Sequence, residues 1–196
     1  MTEKEKSQKG LPHQPWKDDI MRKELEVCKD LCYIYNNILP SKVDEKNEVI
    51  KKILGKTHGN FVISQSFWCD YGYNIEIGKN FYSNHNLVIL DCAKVTFGDN
   101  VFIAPNCGFY TASHPLDKED RNKIIVMTKP IKVGSNVWIG GNVTVLPGVE
   151  IGDGTIIGAG SVVTKSIPSG VIAVGNPCKV VRDITAEDKI SYNIKM

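Results

Sequence analysis

The sequence contains no C-x-x-C pair, no Walker-type or dinucleotide-type glycine loop, and no apolar run that approaches a membrane span. Its opening residues, MTEKEKSQKG, lack the apolar stretch of a secretory signal. Charge of one sign is scarce: the net charge is +2 with 23% charged residues, so bulk field gives no pull toward nucleic acid. There are 4 histidines, His13, His58, His85 and His114, too widely spread to suggest the three converging imidazoles of a zinc site. The 6 cysteines show no metal-ligand spacing either; Cys28 and Cys32, one helical turn apart, read as core-facing hydrophobes. These absences predict a cytoplasmic protein with reduced thiols, no metal, and no nucleic-acid or membrane partner. A chain of 196 residues suits one domain with a substantial core.

What is present is a repeat. Val133, Ile139, Val145, Ile151, Ile157 and Val163 fall six residues apart without a gap, and Gly134, Gly140, Gly152 and Gly158 follow four of them. A second row of small or branched residues keeps step: Val137, Val143, Val149, Thr155, Ser161 and Ile167. Neither a helix nor a strand has period six, whereas a short strand plus a tight corner does. The pattern predicts a mainly β protein, a parallel β-helix of hexapeptide repeats. The hexad is looser upstream, where Phe97, Ile103 and Phe109 are in step, and 18 residues per three-sided coil give roughly five coils between Phe61 and Gly175.

Residues 1–56 read as an arm and a helical hairpin that caps one end of the coils. Residues 1–15 are expected to be loosely held. A helix is predicted from Asp18 to Leu39 on the spacing of Ile20, Val27, Leu31, Ile34, Tyr35 and Ile38. A second, N-capped by Ser41, runs through Val43, Val49, Ile50, Ile53 and Leu54 to Gly55. The β-helix spans 57–184, interrupted by an excursion at 111–130, TASHPLDKEDRNKIIVMTKP; residues 185–196 read as a tail. Insertions in repeat proteins frequently build the binding surface, though this one also reads as a solvated loop.

His114 sits in the excursion, where the repeat does not need it. An imidazole there can take a proton from an alcohol, or can simply face solvent. Asp70, Tyr82, Asn84 and Asp91 are polar residues in an apolar region, either lining a polar-ligand cleft or turning corners. Thr164, Lys165, Lys179 and Arg182 gather cations near the end of the coils, suited to phosphates or to solubility. A covalent route through Cys92 or Cys107 is disfavoured, because Cys107 occupies an inward hexad position.

The stretches CDYGYNIEIGKNFYSNHNLVILD, GDNVFIAP, TASHPLDKEDR, GSNVWIGGNVTVLPGV, IGAGSVVTK and GNPCKVVR resemble the hexapeptide-repeat O-acetyltransferases that modify sugars, the maltose and galactoside O-acetyltransferases. The resemblance covers about Asp18 to Ile184. It implies a left-handed β-helix, a cyclic homotrimer with sites between neighbouring coils, and direct transfer from acetyl-CoA to a carbohydrate hydroxyl. His114 matches the general base, and the Gly141 N–H the oxyanion donor. Asp70, Tyr82, Asn84, Asp91 and Cys92 match the acceptor side. Trp138 matches a position beside the pantetheine arm, and Ala159, Thr164 and Lys165 match the coenzyme groove. Lys179 and Arg182 lie toward the coenzyme phosphates. Two positions depart from the pattern: Asp91-Cys92 replaces paired aspartates of the galactoside enzyme, and Ile125 stands where the relatives place a glutamate. An acetyltransferase for antibiotic hydroxyls and a non-catalytic trimeric scaffold are the alternative readings.

Overall fold

The computed structural model describes residues 1–190, so the end of the expected tail, 191–196, lies outside the described residues. Three parallel sheets form the walls of a coil. The first wall stacks Lys56–Thr57, Ile75–Ile77, Val95–Phe97, Ile131–Val133 and Glu150–Ile151. The second stacks Phe61–Ile63, Phe81–Ser83, Phe102–Ile103, Trp138–Ile139, Ile156–Ile157 and Val171–Val174, and ends with the antiparallel Lys179–Asp183. The third stacks Phe67–Cys69, Leu87–Leu90, Gly108–Tyr110, Thr144–Val145 and Val162–Val163.

Both hexad rows point inward. Val133 through Val163 and Val137 through Ile167 are all buried, and each fully buried aliphatic side chain contributes about 1.5–3 kcal/mol. In the wider upstream coils phenylalanines fill the bore: Phe97 packs edge-on against Phe81 and Phe109, both at 5.1 Å between ring centres. Corners need left-handed backbone. Upstream they use asparagine, as at Asn80 and Asn100, whose amides also ladder at 2.9 Å; downstream glycine takes over, as at Gly154 and Gly160.

The coil length is not uniform. In the second half Val145 pairs with Val163, the expected step of eighteen, but upstream Cys69 pairs with Ile89, a step of twenty. The two extra residues sit where the third wall turns into the first. That corner carries Asp70 and Tyr71 in one coil and Asp91 and Cys92 in the next. One coil later it opens into the excursion.

Helix α1 (Glu3–Gln8) is closed by a capping box between Thr2 and Glu5. The arm is therefore not loosely held, contrary to the sequence expectation. Backbone bonds tie it to the excursion, His13 N–H to Val126 O at 3.0 Å and Val126 N–H to His13 O at 2.8 Å, and the Gln14 amide donates to Lys123 O at 2.6 Å.

Helix α2 (Asp19–Asn37) starts on Asp18, whose carboxylate accepts the Ile20 and Met21 N–H groups. It buries Met21, Cys28, Cys32 and Tyr35, while Ile20, Val27 and Ile34 of the expected face stay exposed. The docking face is set one residue over from the aliphatic stripe, because thiols and Met fill it. Asn36 closes the edge of the third wall, donating to Phe67 O and accepting from Phe67 N, each at 2.8 Å. Helix α3 (Val43–Ile53) packs Ile50 and Ile53 inward. Its N-cap is Lys42 without a side-chain bond, so Ser41 is not the cap; Asp44 and Glu45 favour the first turn instead. No helix among the described residues is long and apolar enough to cross a membrane.

Candidate active site

The excursion is a folded hairpin. Ala112–Ser113 pairs antiparallel with Met127–Thr128, and helix α4 (Lys118–Asn122) starts on Asp117, which accepts the Glu119 and Asp120 N–H groups. At its root the Thr111 hydroxyl donates to Leu90 O at 2.7 Å and accepts the Ala93 N–H at 2.9 Å. This fixes the direction in which Ser113-His114-Pro115 leaves the coil.

His114 Nδ1 lies 2.9 Å from Ile125 O. A carbonyl oxygen only accepts, so Nδ1 carries a proton, and in the neutral ring the free lone pair is therefore on Nε2. Ile125, at the position where the relatives place a glutamate, holds this ring through its main-chain carbonyl.

A cleft of ≈ 300 Å³ lies beside the ring, lined by His114, Asp70 and Cys92 from the extended corner, by Arg22 and Lys29 of α2, and by Trp16 of the arm. Burial raises the Asp70 pKa, while the Cys92 thiol donates to Asp70 Oδ2 at 3.3 Å. Burial also pushes the Cys92 thiol up, so Cys92 is held as a neutral donor rather than a nucleophile.

Asp91, expected against the acceptor, is instead 0% exposed. Its Oδ1 accepts the N–H groups of Asp70 at 3.0 Å and Tyr71 at 2.9 Å, and its Oδ2 accepts that of Asn74 at 3.3 Å. It is the keystone of the extended corner. Burial outweighs those bonds and lifts its pKa to about 6, so it remains ionised at neutral pH.

The other expected residues occupy a different part of the coil. Tyr82 and Trp138 project from the second wall, either side of Phe102 in the pairing ladder, and all three are exposed. Asn84, Gly141 and Ala159 follow strands of that wall, at the corner leading to the third. The Gly141 carbonyl accepts the Gly160 N–H at 2.8 Å, whereas the Gly141 N–H meets no protein acceptor among the described residues. A half-exposed corner with an unspent N–H can receive a thioester carbonyl. Thr164 and Lys165 are exposed at the end of the last third-wall strand. Arg182, expected toward the coenzyme phosphates, donates to both Asp188 carboxylate oxygens at 2.7 Å, and Lys179 is exposed on the same strand.

The structure thus gathers His114, Asp70 and Cys92 at one corner and Asn84, Gly141, Ala159 and Trp138 at or near another. Trp16, from the arm, is a cleft residue that the sequence reading passed over. Its signal was a bulky aromatic in a segment otherwise polar.

Comparison with known proteins agrees with this architecture. Residues 130–165 match the family described as bacterial transferase hexapeptide (six repeats), and residues 6–59 match the maltose acetyltransferase hexapeptide capping motif. A putative acetyltransferase of Saccharomyces cerevisiae is 51% identical over 175 residues, covering 89% of this chain and 88% of the relative. A maltose O-acetyltransferase structure from Clostridium difficile 630 superposes with TM-score 0.91 at 45% identity, covering 94% of this chain and 98% of the other. A galactoside acetyltransferase solved in complex with coenzyme A gives TM-score 0.94 at 39% identity, covering 100% and 97%.

Proposed function

The chain belongs to the hexapeptide-repeat acetyltransferase family, with its left-handed parallel β-helix, and from that premise we propose that it carries acetyl from acetyl-CoA directly to a hydroxyl of a carbohydrate acceptor. The observation that carries the mechanism is the His114 Nδ1–H bond to Ile125 O, which leaves Nε2 as the unprotonated nitrogen of the neutral ring. Nε2 takes the hydroxyl proton as the sugar oxygen attacks the thioester carbonyl. The oxyanion that forms is held by the Gly141 N–H, an interaction usually worth about 2.7–4 kcal/mol. Collapse breaks the carbon–sulfur bond, and the imidazolium returns its proton to the departing sulfur.

On the acceptor side Asp70 takes a sugar hydroxyl as hydrogen-bond acceptor, with Tyr82 and Asn84 completing the set and Asp91 acting through the corner it holds. On the coenzyme side Trp138 lies along the pantetheine, Ala159 and Thr164 line the groove, and Lys165 and Lys179 meet the phosphates. The base leaves the corner between the third and first walls, whereas the oxyanion donor sits at the corner between the second and third walls of the following coil. A homotrimer resolves this, with one chain presenting its His114 corner to the Gly141 corner of its neighbour. The chain is read as cytoplasmic.

An acceptor screen that follows free CoA release tests the proposal. Glucose, maltose, galactosides and amino sugars are compared with drug alcohols, and turnover on one of the sugars is expected. Turnover confined to drug hydroxyls overturns the carbohydrate assignment. No turnover on any acceptor, with no CoA binding by calorimetry, leaves the trimeric scaffold as the reading.

A further inference from the structure

Three thiols that the proposed reaction does not use converge where α2 crosses the first strand of the third wall. Cys28 Sγ lies 3.5 Å from Cys69 Sγ, and Cys32 Sγ lies 3.7 Å from it. All three sulfurs fall within 4.8 Å of one another. Cys28 and Cys32 stand one turn apart on the same helix face, and Cys69 takes the last inward position of Phe67–Cys69. Their exposures are 3%, 0% and 3%.

Core packing explains why each thiol is buried. It does not explain why three sulfurs from two elements point at one another. Cys28 Sγ also donates weakly to the Cys69 carbonyl at 3.9 Å.

We infer that Cys28, Cys32 and Cys69 form a binding site for one soft, thiophilic metal ion of the Cu(I) class. Thiolate donors select soft ions. Thiolates about 2.3 Å from a shared ion stand roughly 3.8–4.0 Å apart in tetrahedral or trigonal geometry, close to the 3.5 Å and 3.7 Å separations that meet at Cys69. No histidine or carboxylate joins the cluster among the described residues. Structural zinc takes four ligands, whereas Cu(I) is satisfied by three, and three are what this site offers. Binding forms copper–sulfur bonds and releases thiol protons to solvent; copper enters and stays as Cu(I), so no electron changes hands. The ion would fasten α2 to the strand that leads directly into Asp70.

The test is an anaerobic titration with Cu(I) alone against a chromophoric Cu(I) chelator, with unfolding temperature as a second readout. The wild-type chain should withhold one equivalent per chain and unfold at a higher temperature when loaded. Cys32→Ser and Cys69→Ser, made separately and checked for fold by far-UV circular dichroism, should each withhold none, while Cys178→Ser keeps the equivalent. X-ray absorption on the loaded wild type needs no variant and should show sulfur neighbours at about 2.3 Å. No withheld copper, retention in both serine variants, or a shell of nitrogen and oxygen overturns the assignment. None of these readouts depends on acetyl transfer, so the site stands or falls apart from the enzymatic reading.

Discussion

Replacing His114 by asparagine separates the ring's chemistry from its structural contact. The Asn amide can donate to Ile125 O as Nδ1 does now, at 2.9 Å, but offers no basic nitrogen in place of Nε2. His114→Ala removes both. The hydrogen bond is worth about 0.5–1.5 kcal/mol, so Ala should lower stability by roughly that amount and Asn should not. Loss of the base should cost both variants about 10²–10⁴ in kcat, equivalent to ~2.7–5.4 kcal/mol of barrier. CoA affinity should stay within about twofold, since the ring sits at the acceptor corner. The assay is steady-state CoA release at saturating acetyl-CoA, with calorimetry for CoA and thermal unfolding for stability. An Asn variant that keeps more than about a tenth of wild-type kcat, or one whose loss lies wholly in KM, refutes proton abstraction by His114.

Asp91→Ala strands three N–H groups, that of Tyr71 buried and those of Asp70 and Asn74 half-buried, and should destabilise by about 1–3 kcal/mol in urea unfolding; kcat/KM should fall with it as Asp70 is released. Gly140→Ala places a methyl 2.6 Å from Ala159 N and 2.9 Å from Ala159 Cα, so it should cost about 1–3 kcal/mol by forcing two coils apart. The neighbouring Gly141→Ala meets only Pro105 O at 3.4 Å and should leave the unfolding temperature nearly unchanged. Glu76 is held down from 4.5 to about 2, first by its hydrogen bond to Lys94 and then by that to His58. Its stabilisation is therefore complete above pH 4.5 and lost as pH falls through 2, and Glu76→Gln should flatten that acid limb of unfolding temperature against pH.

The second half of the coil was legible because its interior rows follow a strict count, and a count survives without coordinates. Val133 to Val163 and Val137 to Ile167 fall where the repeat puts them. The upstream coils were legible as repeat but not in length, because the two extra residues at the Asp70 and Asp91 corner look like noise until Cys69 is seen opposite Ile89. Helix α2 was found from its spacing, yet its inner face was read only in part: Tyr35 and Ile38 are buried as expected, while Ile20, Val27 and Ile34 stay exposed and the thiols beside them won the core. Asp91 was singled out with two readings open, a ligand-facing carboxylate or a corner residue, and the corner is what it holds, a choice the sequence does not make. The docking of residues 1–15 rests on main-chain bonds to Val126 and on Gln14 reaching Lys123, pairings that no local pattern announces.

The widened corner has a consequence for how such a protein can be altered. Cross-wall pairing runs only between successive turns, so chain added or removed at one vertex leaves the registry of the opposite vertices untouched. Residues 70–74 and 91–94, which Asp91 ties together, therefore behave as one exchangeable cartridge and the excursion 111–130 as a second, mounted on a fixed spool. Grafting a foreign segment into either of them should retune what is recognised while the groove that starts at Gly141 keeps its shape.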